Sequence, residues 1–228
     1  LPSPPTIPII WNPSKRARRL SLRIDPVKGA VVITLPYRMS QKQGMGFLQE
    51  NIEWIERNFA ALPQKTPLTD GYSVPIEGVD HTIHHMPHAH RGCWIEQNNL
   101  YVSGDAAHTE RRVKEFLKTL ARIQLTKSIR HYSEQMELYP SRLDFRDTRS
   151  RWGSCTRQGR IMLNWRLIMA PPEISTYVVI HELSHLKFFD HGKDFWTLVE
   201  KNYEKDGRKR LAAERWLSNN GARLLRSA

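Results

Sequence analysis

Only two cysteines, Cys93 and Cys155, occur in 228 residues. Two isolated thiols build no disulfide framework, no CxxC pair and no zinc ribbon, and they fit a reducing, cytoplasmic setting. No apolar run approaches the ~18 residues of a membrane span, so no membrane partner is expected. The start, Leu1-Pro2-Ser3-Pro4-Pro5, has neither the basic nor the apolar stretch of a secretory signal, and none is expected. There is no Walker-type glycine loop, no internal repeat and no low-complexity run. With 39% hydrophobic and 25% charged residues, wholesale disorder is excluded. The length is enough to bury a core without staples.

Acidic residues are also short: 23 against 35 Lys and Arg, for a formal charge of +12. The basic excess sits in the first 75 and the last 88 residues, with a neutral middle. Such a surface suits anionic partners, whether nucleic acid, nucleotide or acidic peptide, or else is a solvated face without specificity.

Local patterns point to an α+β chain. Residues 1–13 hold five of the 14 prolines and read as an extended arm. Residues 14–105 read as a β-rich region with one helix. Within it, Leu20, Leu22 and Ile24 alternate before Asp25-Pro26-Val27-Lys28-Gly29, and an apolar run follows from Val31. That is a hairpin pattern. Phe47, Leu48, Ile52, Ile55 and Phe59 give an amphipathic helix over 43–59. Residues 106–228 are mostly helical, opening with a long helix over 109–138. Strands are expected at 143–150 and 160–169, around the turn Thr156-Arg157-Gln158-Gly159. Helices follow over about 171–188, 193–204 and 207–224.

The third-last helix carries His181-Glu182-Leu183-Ser184-His185, an H-E-x-x-H pattern. Positions i and i+4 lie on one helix face, so both imidazoles can bind one small cation. Glu182, offset around the helix, can reach a metal-bound water without being a ligand. This is the division of labour in a zinc hydrolase: histidine ligands plus a carboxylate general base. The pattern also interrupts an apolar helix (Ile174, Tyr177, Val178, Ile180, Leu183), where unpaired polar groups would be costly.

A third ligand must come from elsewhere. His191 lies six residues after His185, with Gly192 beside it to allow a turn, and imidazole suits zinc. Its spacing matches that of metzincins, but Phe188 replaces their glycine and no methionine follows Met169. The alternatives are Glu200 and Glu204 on the following helix. Ligand type favours Zn2+ without excluding nickel or another divalent transition metal.

Several segments together resemble the YgjP-like metallopeptidase family, zincins related to the SprT-like and WLM-type domains. They are Arg151-Trp152-Gly153-Ser154-Cys155, Leu163-Asn164-Trp165, His181-Glu182-Leu183-Ser184-His185-Leu186, His191-Gly192 and Phe195-Trp196. The resemblance spans roughly residues 15–217, more loosely in its N-terminal part. It implies that residues 106–228 form a zincin-like metal-dependent hydrolase domain with a small β-sheet. It carries metal ligation onto His181, His185 and His191 and catalysis onto Glu182. Its implied activity is peptidase, with a peptide or protein as substrate.

Two readings compete with that one. A metal-dependent nucleotide or phosphoanhydride hydrolase would also suit the positive charge, because a metal-activated water attacks phosphorus as well as carbon. A nucleic-acid-associated module would use the basic ends at 15–23 and 205–226. Arg149 or Arg151 can be read as an oxyanion or anion binder, or as plain surface. A separate cluster, His81, His84, His85, His88 and His90, reads as a solvated hairpin, with a weak metal site as the alternative.

Overall fold

The computed structural model describes residues 7–203 and 207–227, which form two compact units, Leu1–Gln64 and Lys65–Ala228. The fold class is α+β, with small sheets and strands preceding most helices.

In the first unit, β1 (Ile9–Ser14), β2 (Ser21–Asp25) and β3 (Ala30–Pro36) form a sheet of order β1-β3-β2. β2 and β3 are the antiparallel hairpin that the alternation predicts, with Leu22 opposite Ile33. Asp25 closes the turn by accepting the Val27 and Lys28 amides at 3.1 and 3.2 Å. β3 is central and nearly all buried, which explains its unbroken apolar run. The helix expected over 43–59 is two helices, α1 (Gln41–Glu50) and α2 (Ile52–Ala60). The break falls at Asn51, whose side-chain amide donates to the Phe47 carbonyl at 2.7 Å. Ser40 and Gln43 cap α1 reciprocally. Val31, Ile33, Leu48 and Ile55 make this unit's core.

Part of the expected N-terminal arm is therefore sheet. Ile9–Ser14 pairs in parallel with β3, while residues 1–6 lie outside the described residues.

The second unit begins well before residue 106, where local patterning places the boundary. β4 (Ser73–Ile76), β5 (Val79–Met86), β6 (Cys93–Glu96) and β7 (Asn99–Ser103) form a sheet of order β4-β5-β7-β6. Their inward residues Val74, Ile83, Leu100 and Val102 share one core with Val113, Leu117 and Ile180 of the helical part. Strand alternation is local information, but a small sheet needs an apolar partner to cover its face. Here α3 (Thr109–Met136) is that partner, presenting Val113, Leu117, Ala121, Leu125 and Ile129 as one buried stripe.

The third sheet has order β8-β10-β9, from β8 (Arg142–Arg146), β9 (Gly153–Cys155) and β10 (Arg160–Asn164). The two expected strands do pair, but in parallel. The hairpin around Thr156 is made by β9, the Gly-Ser-Cys stretch, which runs antiparallel to β10. Residues Trp165–Met169 form a 3-10 turn, capped by Asn164, whose Oδ1 accepts the Arg166 amide at 3.0 Å.

Next come α4 (Pro172–Ser184), α5 (Lys193–Asn202) and α6 (Gly207–Arg226). α4 opens on Pro172, whose missing amide hydrogen costs nothing in the first turn. It is buried nearly all round and packs on α3, on β9 and on both following helices. Among the described residues no helix is long and apolar enough to cross a membrane.

Candidate metal centre

α4 ends at Ser184, four residues before the expected end at 188. The Ser184 hydroxyl turns back to donate to the Ile180 carbonyl at 2.8 Å. His185 is the capping residue, and its Nδ1 meets the Phe188 carbonyl at 2.9 Å. A carbonyl only accepts, so Nδ1 carries the proton and Nε2 keeps a free lone pair. The early end releases residues 185–192 as a turn. That turn brings His191, just before α5, back to the helix.

The three histidines come together. One ligand nitrogen from each of His181, His185 and His191 lies within 4.8 Å of the others. The His181 and His191 Nε2 atoms are 3.2 Å apart. Two nitrogens bound to one tetrahedral zinc lie about 3.3 Å apart at ordinary Zn–N lengths, so the donor set fits a zinc ion. Burial, reinforced by the charge of the other two histidines and of Arg210, pushes the His181 pKa down to about 3. Burial lowers that of His185 too, against the bond to Phe188. Both shifts favour the neutral imidazole, the form that ligates metal.

Phe195, on the first turn of α5, is fully buried beneath all three rings. Its centroid lies 5.0, 4.6 and 4.7 Å from those of His181, His185 and His191. The Phe195-Trp196 pair stands out in the sequence only as part of the family resemblance. Its place as the floor of the site is a tertiary fact.

Glu182 is 5% exposed and lines one cleft with His181. Its Oε2 has no hydrogen-bond partner among the described residues. Burial raises its pKa to about 8, opposed by the charge of Arg151. Gly153 of β9 lies directly against this carboxylate. A Cβ there would stand 2.5 Å from Glu182 Cγ and 2.6 Å from Cδ. Glycine is needed for that close approach, which sequence spacing does not reveal. Cys155, also on β9, lies outside the convergent histidine group, and burial and then Glu182 raise its pKa to about 11.

A cleft of about 270 Å³ opens beside His181 and Glu182, walled by Trp152, Gly153, Tyr177, Val178, Glu214 and Leu217. Of the other third-ligand candidates, only Glu200 is among the described residues, where it accepts from Arg210 at 3.1 Å; Glu204 lies outside them. The second histidine cluster is not convergent. His81 bonds the Val79 carbonyl, His84 bonds Asn99 and His85 bonds the Gly104 carbonyl, each through its own partner.

Compared with known families, residues 18–219 match the YgjP-like metallopeptidase domain. The chain belongs to the YgjP-like family. The match takes in all three histidines, Glu182 and Gly153, and it bears out the resemblance drawn from the motifs. Membership of a metallopeptidase family implies a divalent metal cofactor. No curated protein matches the chain. A solved structure with some likeness is the metallopeptidase zymogen abylysin of Pyrococcus abyssi. It is 22% identical, with 42% of this chain and 93% of that one covered, at a TM-score of 0.38. A likeness that faint adds nothing to the YgjP-like assignment. Neither comparison supports a nucleotide or nucleic-acid partner.

Proposed function

We propose that this YgjP-like protein is a zinc-dependent metallopeptidase, with His181, His185 and His191 as ligands and Glu182 as general base. The observation that carries the proposal is the convergence of three imidazoles beside a buried carboxylate whose Oε2 has no partner among the described residues. Zinc, when bound, supplies a Lewis acid that polarises the scissile carbonyl and acidifies water. The protein's own residues do the rest. Glu182 takes the proton of the attacking water and delivers it to the leaving amine. Its burial raises its basicity toward the working range of a general base. Among the described residues β9 is the edge of its sheet and pairs only with β10. Its outer edge can therefore add an extended substrate strand next to Glu182.

The cleft favours a peptide over a phosphoanhydride. Its lining holds Trp152, Val178 and Leu217, which suit an apolar side chain, and no lysine or arginine to hold a polyphosphate. We place the protein in a reducing compartment, the cytoplasm, on its two free thiols.

The test is metal content in wild type and His185→Ala, followed by turnover of a fluorogenic peptide library. About one zinc per chain is expected, lost in His185→Ala. Glu182→Gln keeps the zinc and loses ~10²- to 10⁴-fold in turnover. A wild type that takes up no zinc, or a fully active Glu182→Gln, overturns the proposal.

A further inference from the structure

Tyr177 lies one turn before His181 on α4 and is 5% exposed. Its hydroxyl donates to Glu214 Oε1 at 2.8 Å. The same oxygen faces His181 Nδ1 at 3.4 Å, with the two rings edge to face at 5.8 Å. A hydroxyl has one proton, and this one is committed to Glu214. Toward His181 the oxygen can only accept, so Nδ1 carries the proton and Nε2 is left as the donor atom facing His191. Burial, and next the bond to Glu214, raise the Tyr177 pKa and keep that hydroxyl protonated.

Glu214 Oε1 accepts from a second donor as well. Arg210, one turn earlier on α6, donates through Nη1 to Glu214 at 2.9 Å and through Nε to Glu200 at 3.1 Å. The guanidinium also lies 4.2 Å from the Trp196 ring centroid. Trp196 in turn packs 5.4 Å from the His191 ring, tilted by 33°. One arginine thus reaches two of the three histidines, and Trp196 also lies 6.0 Å from the His181 ring. The arginine reaches His181 through Glu214 and Tyr177, and it reaches His191 through Trp196.

We propose that Arg210, Glu214 and Tyr177 are positioning residues of the metal centre. They fix the tautomer of His181 and the placement of His191, and so set zinc affinity. α6 supplies no ligand, yet it holds the site from behind. Hydrogen bonds from ligand imidazoles to carboxylates or other acceptors orient the ring and raise its basicity. Here a tyrosine stands between imidazole and carboxylate, and an arginine braces the carboxylate. The inference rests on the metal proposal above and fails separately from it.

The test is zinc affinity, measured by competition with a chromophoric chelator, alongside the melting temperature of the metal-free protein. The variants are Tyr177→Phe, Glu214→Gln, their double mutant, Arg210→Lys and Arg210→Met. Tyr177→Phe and Glu214→Gln are each expected to weaken zinc binding about 10-fold or more. The double mutant is expected to be no more than about threefold weaker than the worse single, because both act along one route. Arg210→Lys, which keeps a charge for Glu214, recovers part of the loss seen in Arg210→Met. The metal-free melting temperature of Tyr177→Phe stays within about 3 °C of wild type. Single-mutant affinities within about threefold of wild type, or penalties that multiply in the double mutant, overturn the inference. So does a metal-free melting temperature that falls in step with affinity in every variant, because packing alone then explains the loss. A wild type that binds no zinc removes the metal proposal itself, and the two failures are thereby told apart.

Discussion

Gly153→Ala tests the most specific contact in the site. Gly153 has an ordinary backbone conformation, outside the positive-φ glycines, so alanine brings no backbone strain. Its new methyl carbon would stand 2.5 and 2.6 Å from Glu182 Cγ and Cδ. Carbon atoms rest about 3.5–4.0 Å apart, so something must give by roughly 1 Å. The α4 backbone is packed on several sides, and β9 is paired to β10. The Glu182 side chain is the part that moves. Displacing a catalytic group by about 1 Å costs on the order of 10²-fold in rate. Overpacking costs about 1–3 kcal/mol in stability, offset by up to ~1 kcal/mol from a stiffer unfolded chain. The three atoms nearest the methyl all belong to Glu182, so zinc affinity is expected to hold. The expected pattern is peptidase kcat/KM down about 100-fold, zinc Kd within about threefold, and a modest fall in Tm. Glu182→Asp shortens the side chain, and the double variant should lose most of the overpacking cost, a coupling of about 1–3 kcal/mol by a double-mutant cycle. Unchanged turnover and Tm, or stability penalties that simply add, would refute the close approach of β9 to the carboxylate.

Three further predictions follow from other contacts. Phe195→Leu removes the ring beneath all three histidines and should lower both stability, by about 1–3 kcal/mol, and zinc affinity, with denaturant melts and chelator competition as the checks. Unaltered zinc affinity would mean the ring is core only. Asp147 is paired with the buried Arg166; burial tends to raise its pKa, but Arg166 outweighs this and holds it below the usual carboxylate value. A depressed folded pKa gives stability that is present above the unfolded value and lost as pH falls through the folded one. Asp147 is nearly half exposed, so solvent screens the pair, and Asp147→Asn should destabilise the protein at pH 7 by only about 1 kcal/mol and flatten the loss of stability below about pH 4. Identical acid limbs in the two proteins would count against the pair. Finally, chelation should lower the Tm of the zinc-loaded protein by the equivalent of about 4 kcal/mol at zinc levels a thousandfold above Kd, read by calorimetry with and without chelator. A Tm indifferent to chelator would mean that the folded state does not bind the metal.

What was legible in the sequence is what short-range geometry controls. The i, i+4 spacing of His181 and His185 places both on one helix face whatever surrounds them. The hairpin of β2 and β3 follows from alternation around a Pro/Gly turn. The stripe on α3 follows from helical periodicity. Three features escaped that logic. The helix expected over 43–59 breaks at Asn51, where a side-chain amide competes for a backbone carbonyl without disturbing the apolar pattern. The end of α4 lies at Ser184 rather than 188, because apolar Leu186 and Phe188 continue the helical pattern while their backbone turns. The boundary falls at Gln64 rather than near residue 105, because what joins the four-stranded sheet to α3 is a shared core.

The centre divides along the same line. Residue types and spacing specify which imidazoles are available and which carboxylate stands beside them. They leave His191 competing with Glu200 and Glu204 as the third partner. Folding brings His191 to within 3.2 Å of His181 and commits Glu200 to Arg210 instead. Folding also sets Gly153 against Glu182 and Tyr177 against Glu214, pairs separated by 29 and 37 positions in the chain. Spacing along one helix is determined by its pitch. Contacts between distant segments are determined only by the common core that draws them together.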